Sequence, residues 1–380
     1  MGGLFLLPGF LYSCDPMNDP KTDLLGLRYN EFHTLLSALG SGYSELGKLV
    51  YSSAFRLGSD AMDASALFGS SSTVTQFTRL EALRCHFLIG NLVETARVSD
   101  LGDAGTTTKV LFCLADGESI ECVAIPMHGG TWTLCVSSQV GCARGCVFCE
   151  TGRDGLIRNL EASEIVAQVV YAARALNCRF RNIVFMGMGE PLDNLDNVVQ
   201  AISVLRDQRG LCYSLERITL CTSGVAEGIR LLGTFGLKRL NLSISLNSAL
   251  EETRNRIMPI NRTIPLDALS AALQSYPCRR NFVFCLNYCL MPGVNDTSEE
   301  VAAIATFASK LERVFVNVIP YNPGREPICH APTDEETDRF ILALIAAGLI
   351  VKRRQLKGGS VMAACGQLGG RPCNAVHKNV

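Results

Sequence analysis

Glu161-Ala-Ser-Glu-Ile-Val-Ala-Gln-Val-Val-Tyr-Ala-Ala-Arg-Ala-Leu-Asn177, followed by Asn182-Ile-Val-Phe-Met186 and Gly187-Met-Gly-Glu-Pro-Leu192, sets the architecture of this chain. Ile165, Val166, Val169, Val170 and Ala173 fall on one face of a helical period, whereas Asn182 to Met186 is a short apolar run ended by glycine, the pattern of a buried strand. The same beat continues downstream. Strand-like runs recur at Arg217 to Cys221, Arg239 to Ser245, Phe282 to Cys289, Phe315 to Ile319 and Leu349 to Arg353. Helical stretches lie between them, near Val198 to Arg206, Ala226 to Leu232, Leu266 to Gln274, Ser298 to Ser309 and Asp334 to Ala347. Such alternation predicts parallel strands with crossover helices, in an open sheet or a barrel, and in both architectures the chemistry collects at the carboxyl ends of the strands.

Upstream the texture changes. Residues 1–95 break weakly amphipathic pieces with Ser/Gly clusters, and Lys109 to Cys113 and Ser119 to Pro126 read as paired strands. The expected division is a small, mostly helical accessory domain over 1–95, a β linker or extension over 96–126, and a core over 127–380. With 48% hydrophobic and 19% charged residues, the 380-residue chain is neither disordered nor low in complexity. Its 17 cysteines are odd in number, leaving at least one thiol unpaired, which in so long a chain favours a reducing compartment over a disulfide scaffold. No run approaches the roughly 18 to 20 apolar residues of a membrane span, and Met1 to Tyr12 lacks the basic leader and small-residue cleavage site of a signal peptide. A cytoplasmic protein without a membrane is therefore expected. Net charge is −1, with basic residues clustered late, in Lys352, Arg353, Arg354 and Lys357. That cluster suits a few phosphates or a solvated face, not a general nucleic-acid coat.

Just before the opening helix stands Cys135-Val-Ser-Ser-Gln-Val-Gly-Cys142-Ala-Arg-Gly-Cys146-Val-Phe-Cys149. Thiolates at C-x3-C-x2-C spacing can wrap an iron–sulfur cluster. A structural zinc site is the rival, but it wants four protein ligands, and no second close pair is evident. Cys285 and Cys289 read better as small apolar residues of a strand. Three cysteines on a four-iron cluster leave one iron open to a bidentate amino acid such as the methionine end of S-adenosylmethionine (SAM), whose sulfonium an electron can cleave to a 5′-deoxyadenosyl radical. Cys142, Cys146 and Cys149, with Phe148 before the last, resemble the ligand loop of the radical SAM superfamily. Gly187-Met-Gly189-Glu190, one helix later, resembles its Gly-Gly-Glu turn, which holds the amino group of SAM.

A closer resemblance covers about residues 105–370. Cys135 to Cys142, Arg158-Asn-Leu, Met186 to Leu192, Thr222-Ser-Gly-Val225, Ser245-Leu-Asn-Ser248, Pro259-Ile-Asn261, Pro320-Tyr-Asn-Pro323 and Ala363-Ala-Cys365-Gly-Gln-Leu368 are similar, in order, to segments of the RlmN and Cfr family of radical SAM RNA methyltransferases. This implies a partial (β/α)6 radical SAM barrel, a [4Fe-4S] cluster on Cys142, Cys146 and Cys149, and two SAM per turnover, one as methyl donor and one as radical source. It implies Cys365 as methyl carrier and Cys135 as the thiol that resolves the carrier–adenine adduct through a transient disulfide. Glu121 aligns with a proposed general base, although Cys135 could equally remove the adenine proton. SAM contacts carry over to Gly189, Glu190, Cys221, Ser245, Leu246, Asn247 and Asn322. Cys221 and Asn247 depart from a usual Ser and His, and Gly358 to Met362 lacks a usual Asp-Ile, the marks of a divergent member. The implied reaction is methylation of C2 of an adenine in 23S ribosomal RNA and of the adenosine 3′ of the tRNA anticodon. A one-electron donor such as a flavodoxin and a monomeric state go with it. Alternatives are methylation of C8 of the same ribosomal adenine and a non-catalytic, zinc-stabilised RNA-binding module. Trp132, Phe148, His128 and His330 are expected to be packing or solvated groups.

Overall fold

The computed structural model describes residues 21–71, 73–355 and 357–369. Ten strands form one sheet: β1 Val93–Gly102, β2 Gly105–Cys113, β3 Ser119–Met127, β4 Thr131–Cys135, β5 Phe180–Phe185, β6 Ile218–Thr222, β7 Asn241–Ser245, β8 Phe284–Leu290, β9 Val314–Pro320 and β10 Val351–Arg353. They lie side by side in chain order, from β1 at one edge to β10 at the other. From β4 to β10 every neighbouring pair is parallel. Helices make the crossovers: Ala162–Ala175 before β5, Leu195–Leu205 before β6, Ala226–Thr234 before β7, Leu266–Gln274 before β8, Ser298–Ser309 before β9 and Asp334–Ala346 before β10. This is the predicted βα alternation, with element ends moved by up to three residues, and it builds the partial barrel.

The β extension is not a detached linker. Strands β1, β2 and β3 pair antiparallel with one another, and β3 pairs antiparallel with β4, so the barrel sheet runs on through them. The helices before β1, Tyr29–Ala38, Ser44–Leu57, Ala64–Phe68 and Val74–His86, pack around Phe32, Tyr51 and Phe87, with ring centroids 5.0 to 5.7 Å apart. Their buried residues belong to the same apolar cluster as the barrel core. Polar bonds fix the join: Tyr171 Oη donates to Gly90 O, Ser59 N donates to Tyr171 Oη, and Tyr29 N donates to Asp207. Among the described residues no helix is long and apolar enough to cross a membrane.

A parallel sheet of this size leaves a gap between β10 and the opposite edge. The chain after β10 crosses it: Lys357 Nζ donates to Pro126 O, Ser360 Oγ to Asp100 Oδ1 at 2.7 Å, and Lys109 Nζ to Met362 O at 2.8 Å. Cys365 is thereby carried from one sheet edge to the mouth of the barrel.

Candidate active site

The segment between β4 and the three-cysteine loop is a hub of hydrogen bonds. Ser137 N donates to Gln168 Oε1 and Gln168 Nε2 returns a bond to Ser137 O, at 2.8 and 2.9 Å. Ser137 Oγ donates to Glu121 O and accepts from Met188 N. Gln139 Oε1 accepts from Glu190 N at 2.8 Å. The glycine turn after β5 therefore lies directly on this segment. A Cβ on Gly189 would stand 2.6 Å from Gln139 Cβ, and Gly189 has φ +100°, so only glycine fits without strain.

Glu190 is buried, and its carboxylate is already engaged: Oε2 accepts from Ser223 N and Ser223 Oγ, each at 2.7 Å, and Oε1 from Leu192 N. It ties the end of β5 to the end of β6. Burial pushes its carboxyl above the usual range.

Cys142, Cys146 and Cys149 follow this segment in the loop that ends at Glu150, and Cys142 and Cys146 lie within electrostatic reach of Glu190. Cys142 N donates to Gly155 O, Cys149 N to Cys146 O and Val147 N to Ile257 O. Val147 and Phe148 pack against Ile257, Met258, Ile260, Met291 and Tyr321, which gives Phe148 the packing role expected of it. Burial, the largest influence on each thiol, pushes Cys142 up to about 12 and raises Cys146 and Cys149 as well, and the charge of Cys149 adds to the rise of the other two. Three cysteines within eight positions carry the thiols that iron ligation uses, binding displacing their protons, although among the described residues they are not gathered into a metal-holding group.

Polar side chains line the barrel interior at the strand ends. Asn287 Nδ2 donates to Ser243 Oγ at 2.7 Å and to Cys221 Sγ at 3.3 Å, Asn317 Nδ2 donates to Asn287 Oδ1, and Cys221 Sγ meets Ser245 Oγ at 3.4 Å. Asn322 joins them from the end of β9, with Nδ2 donating to Pro320 O. Cys285, expected as a packed apolar residue, faces this cavity instead, whereas Cys289 packs beside the cysteine loop. Asn247 and Leu246 do not open into the cavity. Leu246 is fully buried, and the Asn247 side chain accepts from Cys289 N at 2.9 Å and donates to Met258 Sδ, on a left-handed backbone (φ +57°) that asparagine tolerates.

A cavity of about 770 Å³ runs through the barrel and is lined by Cys135, Met186, Asn287, Asn322, Arg354 and Cys365 among others, so it brings the two thiols together from β4 and from the C-terminal loop. Both are free. The Cys365 loop is strapped from several sides: Glu150 N donates to Gly366 O, Thr151 Oγ1 to Leu368 O, and Gln367 Nε2 to Pro323 O. Glu121 joins this strap. Buried on the cavity face of β3, it pairs with Lys109 at 3.2 Å and accepts from Gly369 N at 3.2 Å. Burial raises its carboxyl, with Lys109 opposing.

A model of the radical SAM superfamily matches residues 136–308. The dual-specificity RNA methyltransferase RlmN of Syntrophotalea carbinolica is 38% identical over 93% of this chain and 91% of its own. That of Syntrophobacter fumaroxidans is 44% identical over 69% of this chain and 76% of its own. The chain belongs to the RlmN family. A crystal structure of a radical SAM methyltransferase from Sphaerobacter thermophilus agrees in fold, with TM-score 0.81 and 32% identity over 91% of this chain and 99% of that one. The chain is thus a SAM-dependent radical SAM RNA methyltransferase, and its family uses an iron–sulfur cluster.

Within this RlmN-family barrel, sequence reasoning passed over several residues. Arg254 is 1% exposed and bonds to Ser223 O, Leu246 O and Ser245 O, clamping the ends of β6 and β7, while Nη1 donates to Asn261 Oδ1 at 2.7 Å. Its place in Thr-Arg-Asn-Arg on a short helix gives no local hint of burial. Lys109 and Gln168 likewise act through partners far away in sequence. His128 borders the cavity, His330 sits at the surface against Glu336, and Trp132 packs on the core.

Proposed function

We propose that this chain methylates C2 of an adenine in 23S ribosomal RNA and the adenosine 3′ of the tRNA anticodon, by way of a methyl group carried on Cys365. The supporting observation is that Cys135 and Cys365 line one cavity, and that the Cys365 loop is bonded to the residue after Cys149 through Glu150 N and Gly366 O. C2 of adenine is electrophilic and has no lone pair, so direct displacement on SAM cannot methylate it; a carrier thiol separates the displacement from the bond to carbon. When bound by Cys142, Cys146 and Cys149, a four-iron cluster supplies the electron that cleaves a second SAM.

The chain's residues divide the remaining work. Gly189 presents its backbone to SAM while Glu190 holds the turn, and Ser245, Cys221 and Asn322 offer polar contacts from neighbouring strand ends. Leu246 and Asn247 shape the site through the backbone. Cys135 lines the cavity, whereas the Glu121 carboxylate is tied to Lys109 and Gly369. That contrast favours Cys135 as the group that takes the C2 proton and leaves Glu121 to anchor the carrier loop. Cys135 then attacks the Cys365 sulfur, the bond from that sulfur to the transferred carbon breaks, and its electron pair takes the proton that Cys135 held to complete the methyl group; a cytoplasmic dithiol reduces the resulting disulfide. A monomer served by a one-electron donor such as a flavodoxin completes this reading.

Nucleoside mass spectrometry of RNA from a deletion strain, before and after complementation, tests it. Restoration of 2-methyladenosine in both RNAs is expected; restoration of 8-methyladenosine alone would instead identify the C8 activity. Anaerobic reconstitution supplies an independent check, with about four irons per chain expected, whereas one zinc and no chromophore would point to the RNA-binding module.

A further inference from the structure

The late basic cluster divides in the fold. Lys352 is exposed, with Nζ 4.5 Å from the centre of the Phe315 ring, and Arg353 pairs with Asp338 at 2.7 Å and with Asp334. Arg354 and Lys357 differ from both. The Arg354 backbone N–H donates to Val318 O at 2.8 Å, in line with β10, and its Nη1 meets Met186 Sδ, a weak acceptor, at 3.7 Å. Lys357 Nζ donates to Pro126 O, and among the described residues no carboxylate pairs with either cation. Burial, and then the Arg354 charge, hold the Lys357 ammonium below its ordinary range, so two like charges stand within reach of each other. Both line a groove of about 490 Å³ between the hairpin tip Gly102 to Gly105 and Pro320 at the end of β9, and both also line the barrel cavity with Cys365. The two spaces therefore meet along these side chains. The groove's carboxylates are Asp334, which Arg353 neutralises, and Asp103, exposed at the hairpin tip, where solvent screening weakens its effect.

We propose that Arg354 and Lys357 together hold one backbone phosphate of the RNA strand in this groove, beside the nucleotide whose base enters the barrel cavity. The inference rests on RNA being the substrate, and not on which carbon of adenine is methylated. A base must leave its stack to reach a group inside a barrel, and its sugar and phosphate stay at the mouth. The groove lies at that mouth, by the carboxyl ends of β9 and β10. A guanidinium presents a planar fork of donors that matches two phosphate oxygens, and an ammonium adds a point charge. One phosphate between them satisfies both cations and removes their mutual repulsion.

Binding of cluster-loaded protein to a synthetic hairpin of 23S ribosomal RNA carrying the target adenosine is measured from about 50 to 200 mM salt. R354Q should weaken binding about tenfold and flatten the salt slope by about 0.7, the value of one phosphate contact on a single strand. K352Q, outside the groove, should leave affinity and slope unchanged. A neutral methylphosphonate linkage is then moved along the strand. With wild-type protein one position next to the target adenosine should cost about tenfold, and R354Q should lose nothing further there. Losses that add in R354Q at every position overturn the proposal, as does a K352Q slope flattened like that of R354Q, which would describe a diffuse basic face. Weaker SAM binding by R354Q with RNA affinity unchanged would assign the pair to the SAM carboxylate and overturn it too. The choice of C2 is read separately, from the methyladenosine isomer that the wild-type protein forms, so either idea can fail without the other.

Discussion

The three-cysteine loop and the Cys365 loop are joined where Glu150 N donates to Gly366 O, but they are held in place by opposite means. The first is nearly self-sufficient: Cys142, Cys146 and Cys149 sit within eight consecutive positions, their backbone closes on itself through Cys149 N to Cys146 O, and a short apolar patch backs them. The second reaches its place only through distant partners, namely Lys109 and Glu121 on the β extension, Glu150 and Thr151 after the cysteine loop, and Pro323 after β9. Function that depends on close spacing can be stored locally. Function that must meet a second thiol on another strand has to be assembled, and the antiparallel strands added to the barrel supply the anchors.

The largest expected effect separates the two loops outright. Cys142→Ala should remove the cluster and with it both SAM cleavage and methylation, whereas Cys365→Ala should retain about four irons per chain and reductive cleavage to 5′-deoxyadenosine while losing all RNA methylation. Iron analysis with product chromatography reads both. If Cys365→Ala also lost its iron, the loops would be one structural unit and the contrast would collapse.

Arg254→Met attacks the frame that the two loops share. It strands the carbonyls of Ser223, Leu246 and Ser245 in a buried position and removes four bonds of one guanidinium. A stability loss of about 3 kcal/mol is expected, read as a lower midpoint in denaturant. Equal stability would show that the strand ends are held by the sheet alone.

Lys109→Met tests the assembled loop by itself. Burial holds the Glu121 carboxyl above its ordinary range, so the folded chain binds more protons there than the unfolded one, and this contribution to stability declines as pH rises through that interval. Without Lys109 the carboxyl is raised further and the interval widens. Lys109→Met should therefore cost about 2 kcal/mol at pH 7.5, recover part of it at pH 5.5, and be largely rescued at pH 7.5 by adding Glu121→Gln. A pH-independent loss would mean that Lys109 acts only through Met362 O. RNA methylation should fall more steeply than SAM cleavage in the single variant, because only the carrier loop is loosened.

How much of this was legible in the sequence follows the same division. The βα alternation could be read because helix and strand periods differ and each crossover repeats the contrast. The cysteine loop and the Gly187 to Glu190 turn could be read because their chemistry is contiguous. Strand β1 carries no such signal: nearly all of Val93–Gly102 is exposed, so neither face alternates, and the charges on Glu94, Arg97 and Asp100 are those of a protected sheet edge. Asn247 was expected to touch SAM from its place in a motif; its bond to Cys289 N, made from a left-handed backbone, is a brace for β8 that no linear pattern reveals. Arg254 and Arg354 were invisible for a related reason. A buried arginine is recognised by what surrounds it, and those neighbours come from strands far apart in the chain.

Ser360→Ala is the smallest perturbation and sharpens the comparison from the other side. Ser360 Oγ bonds Asp100 Oδ1 at the exposed tip where the C-terminal segment reaches β1. Water can replace such a bond, so stability should change by less than about 0.5 kcal/mol. The position of Cys365 is fixed further along, by Lys109 at Met362 and by Glu150, Thr151 and Gln367 beyond it. Methylation by Ser360→Ala should accordingly match the wild type in single-turnover assays. A loss of methylation with unchanged stability and unchanged SAM cleavage would move the anchor of the carrier loop outward to the sheet edge, and Lys109 would no longer be its first fixed point.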